Sequence, residues 1–101
     1  MRILAAAAKE AAAAKFWYEL ERPGLGAKFE TALNSCLDLL EQEILPLSAW
    51  PGAAGRRGIK HIVLRRFPFS LVVHETVDEF VVIAIAHQSK QPGYWLSRLS
   101  T

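Results

Sequence analysis

Apolar residues recur along this chain with more than one period, and the changes of period divide it into elements. Phe29, Leu33, Leu37, Leu40 and Ile44 follow one another in steps of 4, 4, 3 and 4 residues. That is the stripe of an amphipathic helix, expected from about Leu25 to Glu43. Ahead of it, residues 5–21 are dominated by alanine, the strongest helix former. The run AAAAKEAAAAK is close to the repeat of semi-rigid helical spacers, and Phe16, Trp17 and Leu20 add an apolar patch. Pro23-Gly24 breaks the two helices apart, which predicts an antiparallel helical hairpin. Residues 45–58 contain Pro46, Pro51, Gly52, Gly55 and Gly58 and read as a loop. Beyond it, Gly58–Arg66, Phe69–Thr76 and Phe80–His87 are rich in Ile, Val, Leu and Phe between short turn signals, which predicts an antiparallel meander. Arg2–Leu4 can add an edge strand, and Tyr94-Trp95 a helical turn in a polar tail. The expected architecture is α+β: an N-terminal helical hairpin on one face of a 3–4-stranded antiparallel sheet, with a short C-terminal tail or helical turn and residues 1–101 as a single domain.

Two-residue loops at Phe67-Pro68 and Asp78-Glu79 would fix the register. Arg65, Ser70 and His87 then form one row, Val63, Val72 and Ile85 the next, and His61, His74 and Ile83 a third, all on one face. The opposite face would carry Ile62, Leu64, Phe69, Leu71, Val73, Val82, Ala84 and Ala86, which is wholly apolar and should receive the helices. The mixed face holds every histidine of the chain. It is expected to stay uncovered by helices and to bind an acidic, amphipathic partner segment through Val63, Val72 and Ile85. In this register His87 lies ~13 Å from His61, at ~3.3 Å per residue. That is too far for a shared metal, and no cofactor is expected.

Composition narrows the picture only slightly. Of 101 residues, 51% are hydrophobic and 22% charged, which suits one core and not a disordered chain. The net charge of +2 does not by itself mark a nucleic-acid binder. Cys36 is the only cysteine, so a reducing compartment is the simpler reading. Lys9, Glu10 and Lys15 interrupt the N-terminal run, which therefore lacks the apolar core of a secretion signal. No stretch has the length of a membrane span. A cytoplasmic location without membrane association is expected.

Three segments carry a resemblance. RPGLGAKFETAL, from Arg22 to Leu33, resembles the helical-hairpin turn of RelE/ParE superfamily toxins. LRRFPFSLVV, from Leu64 to Val73, resembles their central β-hairpin. AIAHQSKQPGYWLSR, from Ala84 to Arg98, resembles the family ending, and the three occur in the family's order. The resemblance implies the growth-inhibiting toxin of a type II toxin–antitoxin module, of the plasmid stabilisation type, partnered by a cognate antitoxin. A homodimer or a toxin–antitoxin heterotetramer is compatible with it. It implies two modes of action: ParE-like inhibition of DNA gyrase by binding, or RelE-like endoribonuclease cleavage of mRNA on the ribosome without a metal. An inactive member that only binds antitoxin is a third reading.

For cleavage, Arg65 would clamp a phosphate, His87 would move a proton, Lys90 would add charge, and Tyr94 would stack or donate a proton. Arg56, Arg57, Lys60, His61, Arg66, His74 and Arg98 are the candidates for holding nucleic acid or a partner. Trp50 is expected to anchor its loop, and Glu19, Glu21, Glu41 and Glu43 to be solvated helix charges. The chain departs from the family pattern at Ser70, Val73 and Lys90, where many relatives carry a basic residue, a tyrosine and an arginine. Lost hydroxyl and guanidinium groups make directional contacts that the substitutes do not copy. The departures favour the ParE-like reading.

Overall fold

Both predicted helices form, and a computed structural model describes residues 1–99. The elements in order are β1 (Arg2–Ile3), α1 (Ala5–Glu21), α2 (Leu25–Glu41), β2 (Ser48–Ala49), α3 (Ala53–Arg56), β3 (Ile59–Val63), β4 (Phe69–Glu75), β5 (Phe80–His87) and a 3₁₀ helix (Tyr94–Leu99). The sheet has five strands in the order β1-β5-β4-β3-β2, not the expected three or four, and it is mixed and not wholly antiparallel: β1 runs parallel to β5 and the other pairs are antiparallel. The stretch 45–58, expected to be loop throughout, contributes edge strand β2 and the short helix α3.

The helical hairpin packs on one face of the sheet, as its apolar stripe requires. Phe29, Leu33 and Leu40 of α2 and Ala7, Ala14 and Tyr18 of α1 are buried against Leu71, Val73, Val82 and Ile85. Ile44, assigned to the stripe, falls beyond the end of α2 and is 63% exposed. At the hairpin's turn end, Tyr18, Phe29, Phe67 and Phe69 form an aromatic cluster with ring centroids 5.1–6.1 Å apart. Edge-to-face geometry of this kind adds ~1 kcal/mol per pair beyond the area removed from water.

Glu19 was expected to be merely solvated, and it is not. Its two carboxylate oxygens accept from the backbone N–H groups of Gly24 (2.9 Å) and Gly26 (3.0 Å). These donors have no partner within the helix, and a negative charge there also complements the helix dipole. Gly24, at φ 89°, makes the turn in a conformation that favours glycine.

Both hairpin registers differ from the expected ones. The β3–β4 loop spans Leu64–Pro68, with Arg66 at φ 71°, so Arg65 and Arg66 lie in the turn and not in a strand row. Val63 therefore pairs with Ser70, His61 with Val72, and Ile59 with His74. This is a two-residue slip, which leaves β3 and β4 on their expected faces.

The β4–β5 turn is Val77-Asp78, closed by Thr76 and Glu79 at 2.9 Å, and a bulge follows at Val72/Val73. Val73 pairs with Val82 but Val72 with Ala84, so Ile83 is the extra residue. Turn and bulge together shift the far half of β5 by one residue. Ile85 and His87, expected on the mixed face, lie with Leu71 and Phe69 on the helix side. Ala84 and Ala86, expected under the helices, pack on the opposite side.

That opposite side is not left open. Val72, Ile83, Val81 and Ile59 are buried under Trp50, Ala54, Trp95, Tyr94 and Leu99. Trp95 is 1% exposed, and its ring meets Trp50 edge-on at 5.0 Å. Of the residues expected to receive a partner, Val72 is buried by the chain's own tail, Ile85 is buried on the other face, and only Val63 is exposed. The apolar rows could not remain in water, and the chain supplies its own cover.

Gly26→Ala tests the hairpin's tightness. An alanine normally stabilises a helix relative to glycine by ~1 kcal/mol. Here a Cβ would stand 2.5 Å from the Lys15 carbonyl oxygen and 2.9 Å from a Glu19 carboxylate oxygen. The clash outweighs the propensity gain, and a net loss of about 1–2 kcal/mol is expected in denaturant unfolding; a gain would mean the helices sit farther apart.

Candidate functional site

The β5 bulge creates a local problem. β1 ends at Ile3, and its side of the ladder stops with the Leu4 N–H donating to the Val82 carbonyl at 3.0 Å. Beyond it, the backbone of Ile83 and Ile85 faces outward at a place covered on both sides. Two side chains from opposite faces supply the missing partners. Glu10, on α1, accepts from the Ile85 N–H at 3.1 Å, and Arg98, on the 3₁₀ helix, donates to the Ile83 carbonyl at 2.8 Å. The two meet around the strand edge, with Arg98 Nη1 at 2.8 Å and Nη2 at 3.1 Å from the carboxylate oxygens of Glu10. Tyr94 adds its hydroxyl as a further donor to Glu10. Glu10 and Arg98 are only 17% and 21% exposed, which makes this pair stronger than a surface ion pair.

Burial alone would raise the Glu10 carboxyl. The hydrogen bonds from Arg98, Tyr94 and the Ile85 N–H outweigh it and hold the group below the usual carboxylate range. Burial pushes the Tyr94 phenol well above its ordinary value, and the hydrogen bond to Glu10 and its charge push it further. Both side chains are thus engaged with Glu10: Tyr94, a candidate for proton donation, places its hydroxyl on that carboxylate, and Arg98, a candidate for nucleic-acid or partner contact, bonds it together with the Ile83 carbonyl.

A groove of about 190 Å³ lies between the tail and the sheet. It is lined by Trp50, His61, Val63, Ser70, His87, Lys90 and Tyr94, among others. Three of the four cleavage candidates thus come together there. His87 packs edge-on against Phe69 at 4.9 Å, and its Nδ1 accepts from the Ser89 N–H at 3.0 Å. The neutral ring then carries its proton on Nε2. Lys90 Nζ stands 5.0 Å from the centre of the Tyr94 ring. Arg65 lies elsewhere: it lines a second groove, of about 910 Å³, along α2 together with Arg22, Lys28 and Arg66.

The remaining basic candidates serve the fold or lie open. Lys60 pairs with Glu75 at 2.6 Å. His74 Nε2 bonds the Arg57 carbonyl at 3.0 Å and ties the end of α3 to β4. His61 packs against the Trp50 ring at 4.8 Å, and the loop of Trp50 is held by its backbone N–H donating to the Ile59 carbonyl at 2.8 Å. Arg56 and Arg57 are exposed. Among the described residues, no three His, Cys, Asp or Glu side chains are grouped so as to share a metal ion. No helix among them is long and apolar enough to cross a membrane. Sequence reasoning missed Glu10, although it is the one carboxylate before Glu19, set alone in an alanine helix.

No family model matches the sequence, and no curated protein matches it either. Among solved structures, a chain from the chromosomal ParDE TA system from P. aeruginosa is similar, with a TM-score of 0.70 and 20% sequence identity. The match covers 85% of this chain and 91% of that one. The likeness is one of fold. Two N-terminal helices packed on a five-stranded mixed sheet are consistent with a ParE-like fold.

The latch makes stability depend on pH. A carboxylate depressed in the folded state stabilises it fully above the ordinary value of 4.5, and that contribution is lost as pH falls through the folded value. Glu10→Gln should lower the melting temperature at pH 7, by a loss of about 3 kcal/mol. The gap between the two proteins should shrink as pH falls below 4.5. A gap that stays constant from pH 7 to pH 3 on the same buffer series would mean that the charge of Glu10 contributes nothing.

Proposed function

We propose that the chain is the toxin of a type II toxin–antitoxin module and that it arrests bacterial growth as ParE-like toxins do, by binding DNA gyrase. The fold likeness supports the class. The observation that favours binding over cleavage is the separation of Arg65, the phosphate clamp, from the other three cleavage candidates. Arg65 lines one groove and His87 and Lys90 another, while the Tyr94 hydroxyl is directed into Glu10. Ester cleavage needs a phosphate clamp, a base and an acid converging on one phosphate. Without that convergence, the surfaces of the helical hairpin and its turn loop are what the molecule offers a target. Such a toxin acts in the cytoplasm, with a cognate antitoxin as its partner and no cofactor.

Purified protein titrated into a gyrase supercoiling assay should abolish supercoiling near stoichiometric amounts. Full supercoiling at every ratio would reject gyrase as the target. One observation keeps a RelE-like ribonuclease as the second reading: His87 and Lys90 share the tail groove with His61. Primer extension on translated mRNA separates the two. The binding mode yields no new 5′ ends, whereas cleavage that disappears in His87→Ala would establish the nuclease. Growth arrest on expression distinguishes either from an inert antitoxin-binding protein.

A further inference from the structure

The outer face of α1 is apolar and lies open. Phe16, Trp17 and Leu20 are 66%, 55% and 71% exposed, and Ala8, Ala12 and Ala13 are exposed as well. The helix already has a buried side of its own, formed by Ala7, Ala14 and Tyr18. The open residues are not scattered. Lys9, Ala13, Phe16 and Leu20 follow one another in steps of 4, 3 and 4, the spacing of a seam along which a second helix packs. Trp17 borders that seam, and its ring rests edge-on against Tyr18 at 5.0 Å, which holds it in place. Three large apolar side chains in one exposed patch mark an interaction surface.

The order of sizes along the seam selects its occupant. Small residues fill its first half and bulky ones its second. A second copy of α1 laid antiparallel, with a twofold axis at the middle of the helix, sets Phe16 of one copy on Ala13 of the other and Trp17 on Ala12. Leu20 then falls on the methylene stem of Lys9. Each bulky side chain meets a small or flexible one. Parallel packing would set ring on ring and ammonium on ammonium. Charge selects the same arrangement. Glu10 is engaged with Arg98, Lys15 with Glu30, and Glu19 with the N–H groups of Gly24 and Gly26. The two charges of α1 with no ion pair among the described residues are Lys9 and Glu21. They stand toward opposite ends of the helix, and antiparallel packing brings Glu21 of each copy beside Lys9 of the other.

We infer that α1 is a self-association surface, through which two copies of the chain form an antiparallel dimer with twofold symmetry. Residues 8–21 overlap in it, a face ~21 Å long and ~10 Å wide. Such a face is smaller than the ~800 Å² per partner of a standard interface, so the dimer dissociates on the order of 10 µM. The inference does not depend on the target proposed above. No residue from 8 to 21 lines the tail groove or the α2 groove, and both stay open in the dimer.

Sedimentation equilibrium of the full chain, from well below to well above that concentration, should show a monomer–dimer equilibrium. Ala13→Glu sets a carboxylate on the Phe16 ring of the other copy and should leave only monomer. Lys9→Glu and Glu21→Lys should each weaken the dimer about tenfold, because each makes two attractive pairs repulsive. The double variant Lys9→Glu/Glu21→Lys should regain the original strength, which parallel packing would not restore. Leu39→Ala removes an exposed leucine of α2 and should change nothing, which separates this face from general stickiness. All the altered residues are exposed, so folding is preserved, and circular dichroism checks it. A chain that stays monomeric throughout, a double variant no tighter than the single ones, or an equal loss in Leu39→Ala would overturn the proposal. A monomeric chain that instead binds phosphatidylglycerol vesicles would assign the face to a membrane surface and overturn it too.

Discussion

The fold depends on how one interrupted strand edge is completed. Strand β5 is central to both cores, and its bulge at Ile83 turns one half of the strand relative to the other. Without further partners the bulge would leave backbone groups of Ile83 and Ile85 unsatisfied in a place with little water, at ~1–3 kcal/mol each. Glu10 reaches the edge from the helical face, and Arg98 from the opposite one. Their ion pair joins the two faces around the edge. The tail is thereby fixed, which places Trp95 over Val72, Ile83 and Ala84 and completes the second core. A sheet packed by helices on one side becomes one that is closed on both.

The same geometry decides what the surface offers. Because the tail occupies the mixed face, the histidine-bearing side is largely internal, and His61 and His74 serve packing and loop anchoring. A narrow cleft beside His87 remains there. The broader free surfaces are on the helical hairpin: the exposed Phe16, Trp17 and Leu20 of α1 and the basic groove of α2. A molecule built this way presents surfaces to macromolecules more readily than it assembles a catalytic triad. That is the physical reason for the binding mode proposed above.

Much of the architecture was legible from residue patterns. The helices, the Pro23-Gly24 turn, the three long strands and the edge strand near Arg2 follow from periodicity, breakers and β-branched runs. Register was not legible. Pro68 cannot donate to the ladder, and the β3–β4 loop is correspondingly longer than two residues, while a bulge such as that at Ile83 leaves no composition signal. A one-residue shift was enough to move Ile85 and His87 to the other face. Strand β2 and helix α3 were hidden by glycines and prolines that read as loop. Glu10 and Glu19 looked like ordinary helix charges because their partners, Arg98 and the backbone of Gly24 and Gly26, become neighbours only in three dimensions. The candidate site fared worse than the fold for the same reason. Tyr94 and Arg98 are committed to Glu10, and Arg65 is separated from His87 by the placement of the turn.

Native-state hydrogen exchange at the Ile85 amide tests the central claim most directly. With Glu10 accepting that N–H and Arg98 closing the edge, Ile85 should exchange as slowly as the amides of the β4–β5 ladder, such as that of Leu71. An Ile85 amide that exchanges as fast as the exposed turn amide of Val77, while Leu71 stays protected, would contradict the latch and the closure of the second core that rests on it.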